Sequence, residues 1–228
     1  MKKKLLVGLV TGLFVVGIVG TASATMIEDF ESGSFGAGWV TVGGFGSVST
    51  SAAHDGSYGV TDPEWTYYTG ADGQVSEGDS ISAWFKAGTG RFYLGFDADG
   101  SGGDSFVSAP NTSDIRFQEN PGYGFIELNT SSQSWNIGNW YFAEVLLGPG
   151  NTAIGNLYGS DGTTLLNTVS HTFSDGFGGG VAIRSFGGFN IDTISVNSAA
   201  PVPEPATMLL FGIGIAGLAG SRIRRKKK

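Results

Sequence analysis

Cysteine is absent from the 228 residues, histidine occurs twice, and charged side chains make up only 14% of the chain. Without cysteine there is no disulfide framework, no thiolate-ligated zinc or iron–sulfur centre and no thiol nucleophile. The two histidines, His54 and His171, stand in a chain with no G-x-S-x-G and no H-E-x-x-H string, which excludes nucleophile-elbow hydrolases and zincins. Basic residues are scarce in the middle: residues 25–200 hold 4 Lys and Arg against 19 Asp and Glu, a balance of −15. Such a segment repels phosphate backbones, so no nucleic-acid partner is expected. Long apolar faces of helical period are missing as well, which argues against a helical domain.

What basic charge there is lies at the two ends. Lys2, Lys3 and Lys4 precede an apolar run from Leu5 to Gly20 and the small-residue string Ala22-Ser23-Ala24. That order predicts a signal peptide over residues 1–24, its apolar part helical, with Ala22 and Ala24 forming the cleavage site. Export to an oxidising compartment permits disulfides, yet the chain has none, so its fold must rest on its core.

At the other end, the prolines of Ala200-Pro201-Val202-Pro203-Glu204-Pro205 predict an extended linker over residues 199–205. The apolar run Ala206 to Gly220 would reach only about 22 Å as a helix, short of a hydrocarbon core of about 30 Å. Adding Ser221 to Ile223, with Arg222 snorkelling, predicts a thin transmembrane helix over residues 206–223. The basic tail, residues 224–228, then stays cytoplasmic by the positive-inside rule.

The string VPEPATMLLFGIGIAGLAGSRIRRKKK resembles a PEP-CTERM sorting signal, with its Pro-Glu-Pro motif, short glycine-rich span and basic terminus in that order. The resemblance implies an exported protein of a Gram-negative, exopolysaccharide-forming bacterium, anchored in the inner membrane as a precursor and cleaved by an exosortase near the motif. Pro203, Glu204 and Pro205 would be the recognition motif, and Arg222, Arg224 and Arg225 the cytoplasmic stop. Its destination would be the cell surface or the extracellular matrix.

Residues 25–198 read as one domain. Gly, Ser, Asn and Asp interrupt it every 8–12 residues, the spacing of short strands joined by turns. Ser80–Lys86, Arg91–Phe96, Trp140–Leu147 and Phe189–Val196 are the best strand candidates, rich in aromatic and β-branched residues. The pattern predicts an all-β, two-sheet antiparallel sandwich of about 11–14 strands, with aromatic side chains filling an interior to which the glycines add no volume. The order Ile27–Gly33, Gly38-Trp39, Ile81–Phe85, Phe92–Phe96, Asn139–Tyr141 and Ile191–Val196 resembles a concanavalin-like or laminin-G-like jelly roll. In that fold the first and last strands are neighbours, which implies that Glu28, Asp29 and Glu31 lie near Asp192. The fold serves lectins, adhesins and glycosidases alike and does not decide function.

No catalytic residue and no required cofactor is predicted. A retaining glycosidase needs two carboxylates about 5–5.5 Å apart, and the nearest approach, Glu77-Gly78-Asp79, is followed by Ser80 and Ser82. Structural Ca²⁺ is the one metal the residues suggest. Asp97, Asp99 and Ser101 occupy the first, third and fifth positions of a calcium-type loop, with Asp104 close by and Ser108 where a bidentate Glu belongs. A second carboxylate set is Glu28, Asp29, Glu31 and Asp192. Trp65, Tyr67 and Trp135 stand in polar, loop-like settings suited to stacking on sugar faces, whereas Trp39, Trp84 and Trp140 read as core. The reading is an exported, non-catalytic surface or matrix protein that binds extracellular polysaccharide in a biofilm. The alternatives are a structural or adhesive matrix protein without a sugar site and a concanavalin-type glycan-active enzyme.

Overall fold

Short strands whose successive side chains point to opposite faces build the described structure. The computed structural model describes residues 24–198, all within one compact unit spanning Ala22–Ala199. The expected signal segment with Ala22, the linker, the membrane span and the sorting residues Pro203, Glu204, Pro205, Arg222, Arg224 and Arg225 lie outside the described residues. Among the described residues, no helix is long and apolar enough to cross a membrane.

Among the described residues, fifteen strands form two antiparallel sheets. One sheet runs β13 (Leu165–Thr172), β12 (Thr152–Tyr158), β11 (Trp140–Gly148), β6 (Ser80–Lys86), β15 (Asn190–Asn197), β4 (Gly59–Thr61) and β3 (Ser47–Ser49), with β1 (Ala24–Glu28) also paired to β15. The other runs β10 (Ile126–Ser132), β9 (Asp114–Pro121), β8 (Gly102–Ala109), β7 (Arg91–Asp99), β14 (Gly180–Phe186), β5 (Thr66–Tyr68) and β2 (Trp39–Thr41). The strand count is one above the sequence expectation, because three-residue strands such as β2, β3 and β5 are too short to show a period. First and last strands are neighbours as the jelly-roll resemblance implies, with Ala24 opposite Asn197 and Glu28 opposite Ile194.

The core lies between the sheets. Along β6, Ile81, Ala83 and Phe85 point inward; along β7, Phe92, Leu94 and Phe96; along β9, Ile115 and Phe117; all are fully buried. Phe85 sits at a ring junction, 4.8 Å from Phe92, 5.7 Å from Tyr141 and 5.9 Å from Phe189 between centroids. Removing such a ring costs about 3–5 kcal/mol in transfer and cavity energy. Gly155 on β12 is part of this packing: a Cβ there would stand 2.4 Å from the Phe106 ring.

A second apolar cluster, Trp65, Tyr93, Ala98, Val107, Ala109 and Ala182, is separate from this core. Tyr93 alternates with Phe92 and Leu94, Val107 with Phe106, and Ala182 with Val181 and Ile183, so this cluster occupies the outer face of the seven-stranded sheet. The domain therefore buries aromatic rings on a sheet surface that a plain sandwich leaves to solvent.

Candidate functional site

The outer face of the seven-stranded sheet also collects cationic side chains. Of the four basic residues between Thr25 and Ala200, Arg91, Arg116 and Arg184 all point from it, because each alternates with a core residue of β7, β9 or β14. Register places Arg184 opposite Tyr93 and Phe186 opposite Arg91. Two arginines and two aromatic rings thus form a two-by-two checkerboard. With Asn111 and Phe125 these four residues line an open cavity of about 300 Å³, enough for a sugar ring.

Each arginine is already held by carboxylates. Arg91 donates from Nε to Asn111 (3.1 Å) and from Nη1 to Glu127 (3.2 Å). Arg116 donates from Nε to Asp114 (2.8 Å) and from Nη2 to Thr112 (2.9 Å), and pairs with Glu127 as well; its bond to Asp114 raises its pKa further. Arg184 donates from Nε to Glu64 at 3.3 Å. Its guanidinium also lies 5.5–5.9 Å from the ring centroids of Tyr93, Phe186, Phe125 and Trp65, a cation–π setting. Three cations meet three anions, so the face presents fixed donors without net charge. The turn after β14 is fixed by Asp62, whose carboxylate accepts from the amides of Gly188 (2.7 Å) and Phe189 (2.9 Å). That turn follows directly on Phe186, which is 38% exposed.

A second hollow, about 340 Å³, is lined by Asp97, Asp104, Glu119 and Asp175 together with Asn120 and Phe173. Asp104 and Glu119 are opposite residues of β8 and β9, on the side that carries Phe106 and Phe117. The cleft thus lies at an end of the interior. Burial, then the charges of Asp97, Glu119 and Asp175, push the Asp104 carboxyl up to about 7. Burial raises Asp97 to about 6, against a lowering hydrogen bond from the Gly178 amide.

Of the two sequence-predicted metal sets, the residues of the first, Asp97, Asp99, Ser101 and Asp104, all line this cleft, where Asp99 accepts from the amide and hydroxyl of Ser101, both at 2.6 Å, closing the β7–β8 turn. Glu28 accepts from the amides of Phe30 (2.8 Å) and Gly36 (2.6 Å), and Glu31 from those of Ser57 (2.8 Å) and Tyr58 (2.9 Å). Asp29 accepts from the Glu31 amide, and Asp192 from the amides of His54, Asp55 and Thr193. The terminal strands do pair, but these carboxylates are spent on separate turns as acceptors for backbone N–H groups. Among the described residues, no group of three or more His, Asp or Glu side chains is arranged to hold a metal ion.

The tryptophans are sorted differently from the sequence expectation. Trp65 is 6% exposed, covered by Tyr123 at 5.3 Å and packed on Tyr93 at 5.2 Å, so its ring is not open for stacking. Tyr67 is half-buried and lies against the same Tyr123 ring at 6.2 Å. Trp135 is half-buried and seals the core at Tyr141 (5.2 Å) and Phe85 (6.1 Å). Trp39 is core, as read. Trp84 and Trp140, also read as core, are half-buried on the outer face of the eight-stranded sheet, where His54 stacks on Trp84 at 3.9 Å and meets Trp140 edge-on at 4.8 Å. The cavity residues Arg91, Asn111, Phe125, Arg184 and Phe186 were missed. Their signal was the rarity of arginine in an acidic segment, combined with the outward parity of Arg91 and Arg184 on their strands.

No curated protein sequence matches the chain. In structure it is similar to the carbohydrate-binding module CBM66 from Bacillus subtilis, at 13% identity and TM-score 0.54, covering 71% of this chain and 96% of that one. It is also similar to the Ca²⁺/Man2-bound exoplasmic/lumenal domain of VIP36, at 12% identity and TM-score 0.47 over 67% of this chain and 80% of that one. Chicken galectin 2 is similar at 13% identity and TM-score 0.42, over 55% and 95% of the two chains. The PEP-CTERM protein-sorting motif matches residues 201–226. The chain therefore carries the sorting motif of an exported, envelope-directed protein, joined to a two-sheet jelly-roll sandwich of the fold seen in the carbohydrate-binding module CBM66.

Proposed function

We propose that this domain binds neutral polysaccharide outside the cell, through the outer face of the seven-stranded sheet. The observation that carries the reading is the cavity between Arg91, Tyr93, Asn111, Phe125, Arg184 and Phe186. Sugars offer flat C–H faces to rings and hydroxyls to oriented donors, and this cavity supplies both. Its two arginines, Arg91 and Arg184, are compensated by Glu127 and Glu64. The surrounding domain, at −15, repels polyanions. Both features favour an uncharged ligand. The fold shared with CBM66 supports the reading without supplying its ligand.

The sorting motif supports a route for this activity. An inner-membrane precursor in a Gram-negative cell would be cut by an exosortase near Pro203-Glu204-Pro205, leaving a domain without the basic tail at the cell surface or in the exopolysaccharide matrix of a biofilm. The reading is tested by affinity electrophoresis of residues 25–198 in gels containing dextran, laminarin, galactomannan, alginate or pectate. Retardation by at least one neutral polymer and not by the polyuronates is expected; mobility unchanged in every gel overturns it.

A second reading, glycan hydrolysis at the acidic cleft, is favoured by one observation: a carboxyl raised to about 7 beside other carboxylates is equipped as a general acid. Release of reducing sugar from the same polymers, abolished by Asp104→Asn, would establish it. Release absent from the native domain ends it.

A further inference from the structure

We propose that residues 122–125, which join β9 to β10, form a movable strap, and that lifting it opens a second sugar subsite on Trp65 beside the Arg91–Arg184 cavity. The inference rests on the reading of this face as a neutral-polysaccharide site and extends it from a single cavity to a longer, gated one.

The first ground is a set of unsatisfied polar atoms. The indole Nε1 of Trp65 and both amide atoms of Gln118 are buried without a hydrogen-bond partner, and Gln118 is fully buried. A buried donor or acceptor left unpaired costs about 1–3 kcal/mol; the core tryptophans Trp39 and Trp135 also carry an unpaired indole, so it is the Gln118 amide, fully buried with both of its polar atoms unpaired, that marks this face. Gln118 stands in the outward row of β9 between Arg116 and Asn120, opposite Ser105 and one step from Val107 of the Trp65 cluster. A sugar ring stacked at Trp65 would bring hydroxyls to these atoms.

The second ground is how the strap is made and held. Gly122 and Tyr123 both have left-handed backbone, at φ 57° and 61°, a conformation that costs a non-glycine residue about 1 kcal/mol. A Cβ at Gly122 would meet nothing within 4 Å. Apart from hydrogen bonds with the end of β9, the strap is tied to the β7–β8 turn, through the Gly122 amide to the Ser101 carbonyl (2.6 Å) and through the Tyr123 hydroxyl, which donates to the Asp99 carbonyl. The Tyr123 ring is what covers Trp65 and Tyr67. At the strap's end, Phe125 is 60% exposed and forms part of the cavity wall.

The third ground is continuity. The Arg184 guanidinium lies 5.7 Å from Phe125 and 5.9 Å from Trp65, so one cation touches the open cavity and the covered ring. With the strap lifted, a chain of sugar units would run from Phe186 across Arg184 to Trp65, Tyr93 and Gln118. A short ligand needs only the open cavity; a longer one displaces Tyr123 and satisfies the Gln118 amide.

Two measurements test this on residues 25–198. Hydrogen exchange at residues 122–125 should be faster than in β8 and β9; exchange as slow as in those strands overturns the strap. Calorimetry then uses oligosaccharides of one to six units from the dextran, laminarin and galactomannan of the gel assay. Tyr123→Phe keeps the ring and removes one tie, and should tighten binding of the longer members about threefold while leaving the shortest binder unchanged. Gln118→Leu should leave the melting temperature unchanged or higher, yet weaken the longer members about fivefold. Folded Gln118→Leu that binds every length like the native domain overturns the second subsite and leaves the single cavity standing. Absence of binding by the native domain at every length overturns the underlying reading as well.

Discussion

The two hollows of the domain are close in size, about 300 Å³ and 340 Å³, and opposite in chemistry. The first is lined by two arginines, aromatic rings and an asparagine, with its charges neutralised by neighbours at 3.2–3.3 Å. The second gathers five carboxylates and no cation among its lining residues. One hollow has its electrostatic cost settled within the fold and presents oriented donors. The other leaves like charges together, and there burial and mutual repulsion raise the pKa values of Asp104 and Asp97. A net charge of −15 between Thr25 and Ala200 therefore describes neither place: it averages a charge-balanced arginine–aromatic face and an overcharged cleft.

The contrast is broken most forcefully at Arg184, which links Glu64 and four rings. Arg184→Ala should weaken neutral-polysaccharide binding by about thirtyfold or more, as for a central, hydrogen-bonded anchor. Asp104→Asn should leave that binding within about twofold. Comparable losses in the two variants, measured by affinity electrophoresis, would place the ligand elsewhere.

The next effect is on stability. Relieving the crowded carboxylates by Asp104→Asn should stabilise the domain by about 1–2 kcal/mol at pH 8, after allowance for solvent screening. That is a rise of about 2–8 °C in melting temperature, read by calorimetry. The native domain should itself lose stability as pH rises from about 4 to about 8. Asp97 and Asp104 bind protons more tightly when folded than unfolded, so their contribution is fully present below about 4 and is lost through their folded values of about 6 and 7. In Asp104→Asn this slope should flatten; an unchanged slope assigns it to other groups.

The smallest expected effect is that of salt. A recognition face without net charge should bind its neutral polymer with less than about a twofold change in affinity between 50 mM and 500 mM NaCl. A steep fall over that range would mean that the arginines act through net charge, and would turn the comparison toward an anionic ligand.

Much of the fold was legible in the residues. The stretch Ser80–Lys86 reads as a strand and is β6 with the same bounds, and the strand candidates Arg91–Phe96, Trp140–Leu147 and Phe189–Val196 coincide with β7, β11 and β15 to within a few residues. Which tryptophans stay open was not legible. In Ser80-Ile81-Ser82-Ala83-Trp84-Phe85-Lys86, apolar residues stand on both parities, and only the packing of Ile81, Ala83 and Phe85 into the interior sends Trp84 outward. Trp65 looked exposed because Asp62-Pro63-Glu64 precedes it, yet Tyr123, nearly sixty residues later, lies over it. Glu31 reads as a metal ligand among clustered acids, while its actual partners, the amides of Ser57 and Tyr58, come from a distant turn.

By itself the sequence determined the sorting motif at the C-terminus, the lack of thiol chemistry, the strand periodicity and the acidity of the middle segment. These are properties of composition and local order, and survive any arrangement of the strands. Tertiary structure alone decided that Arg91 and Arg184 meet diagonally across β7 and β14, that Asp97, Asp104, Glu119 and Asp175 share a cleft, and that Tyr123 closes over Trp65. The reason is physical: strand pairing brings together side chains far apart in the chain, and the sign and strength of each electrostatic and stacking contact depend on that register rather than on any residue's neighbours in sequence.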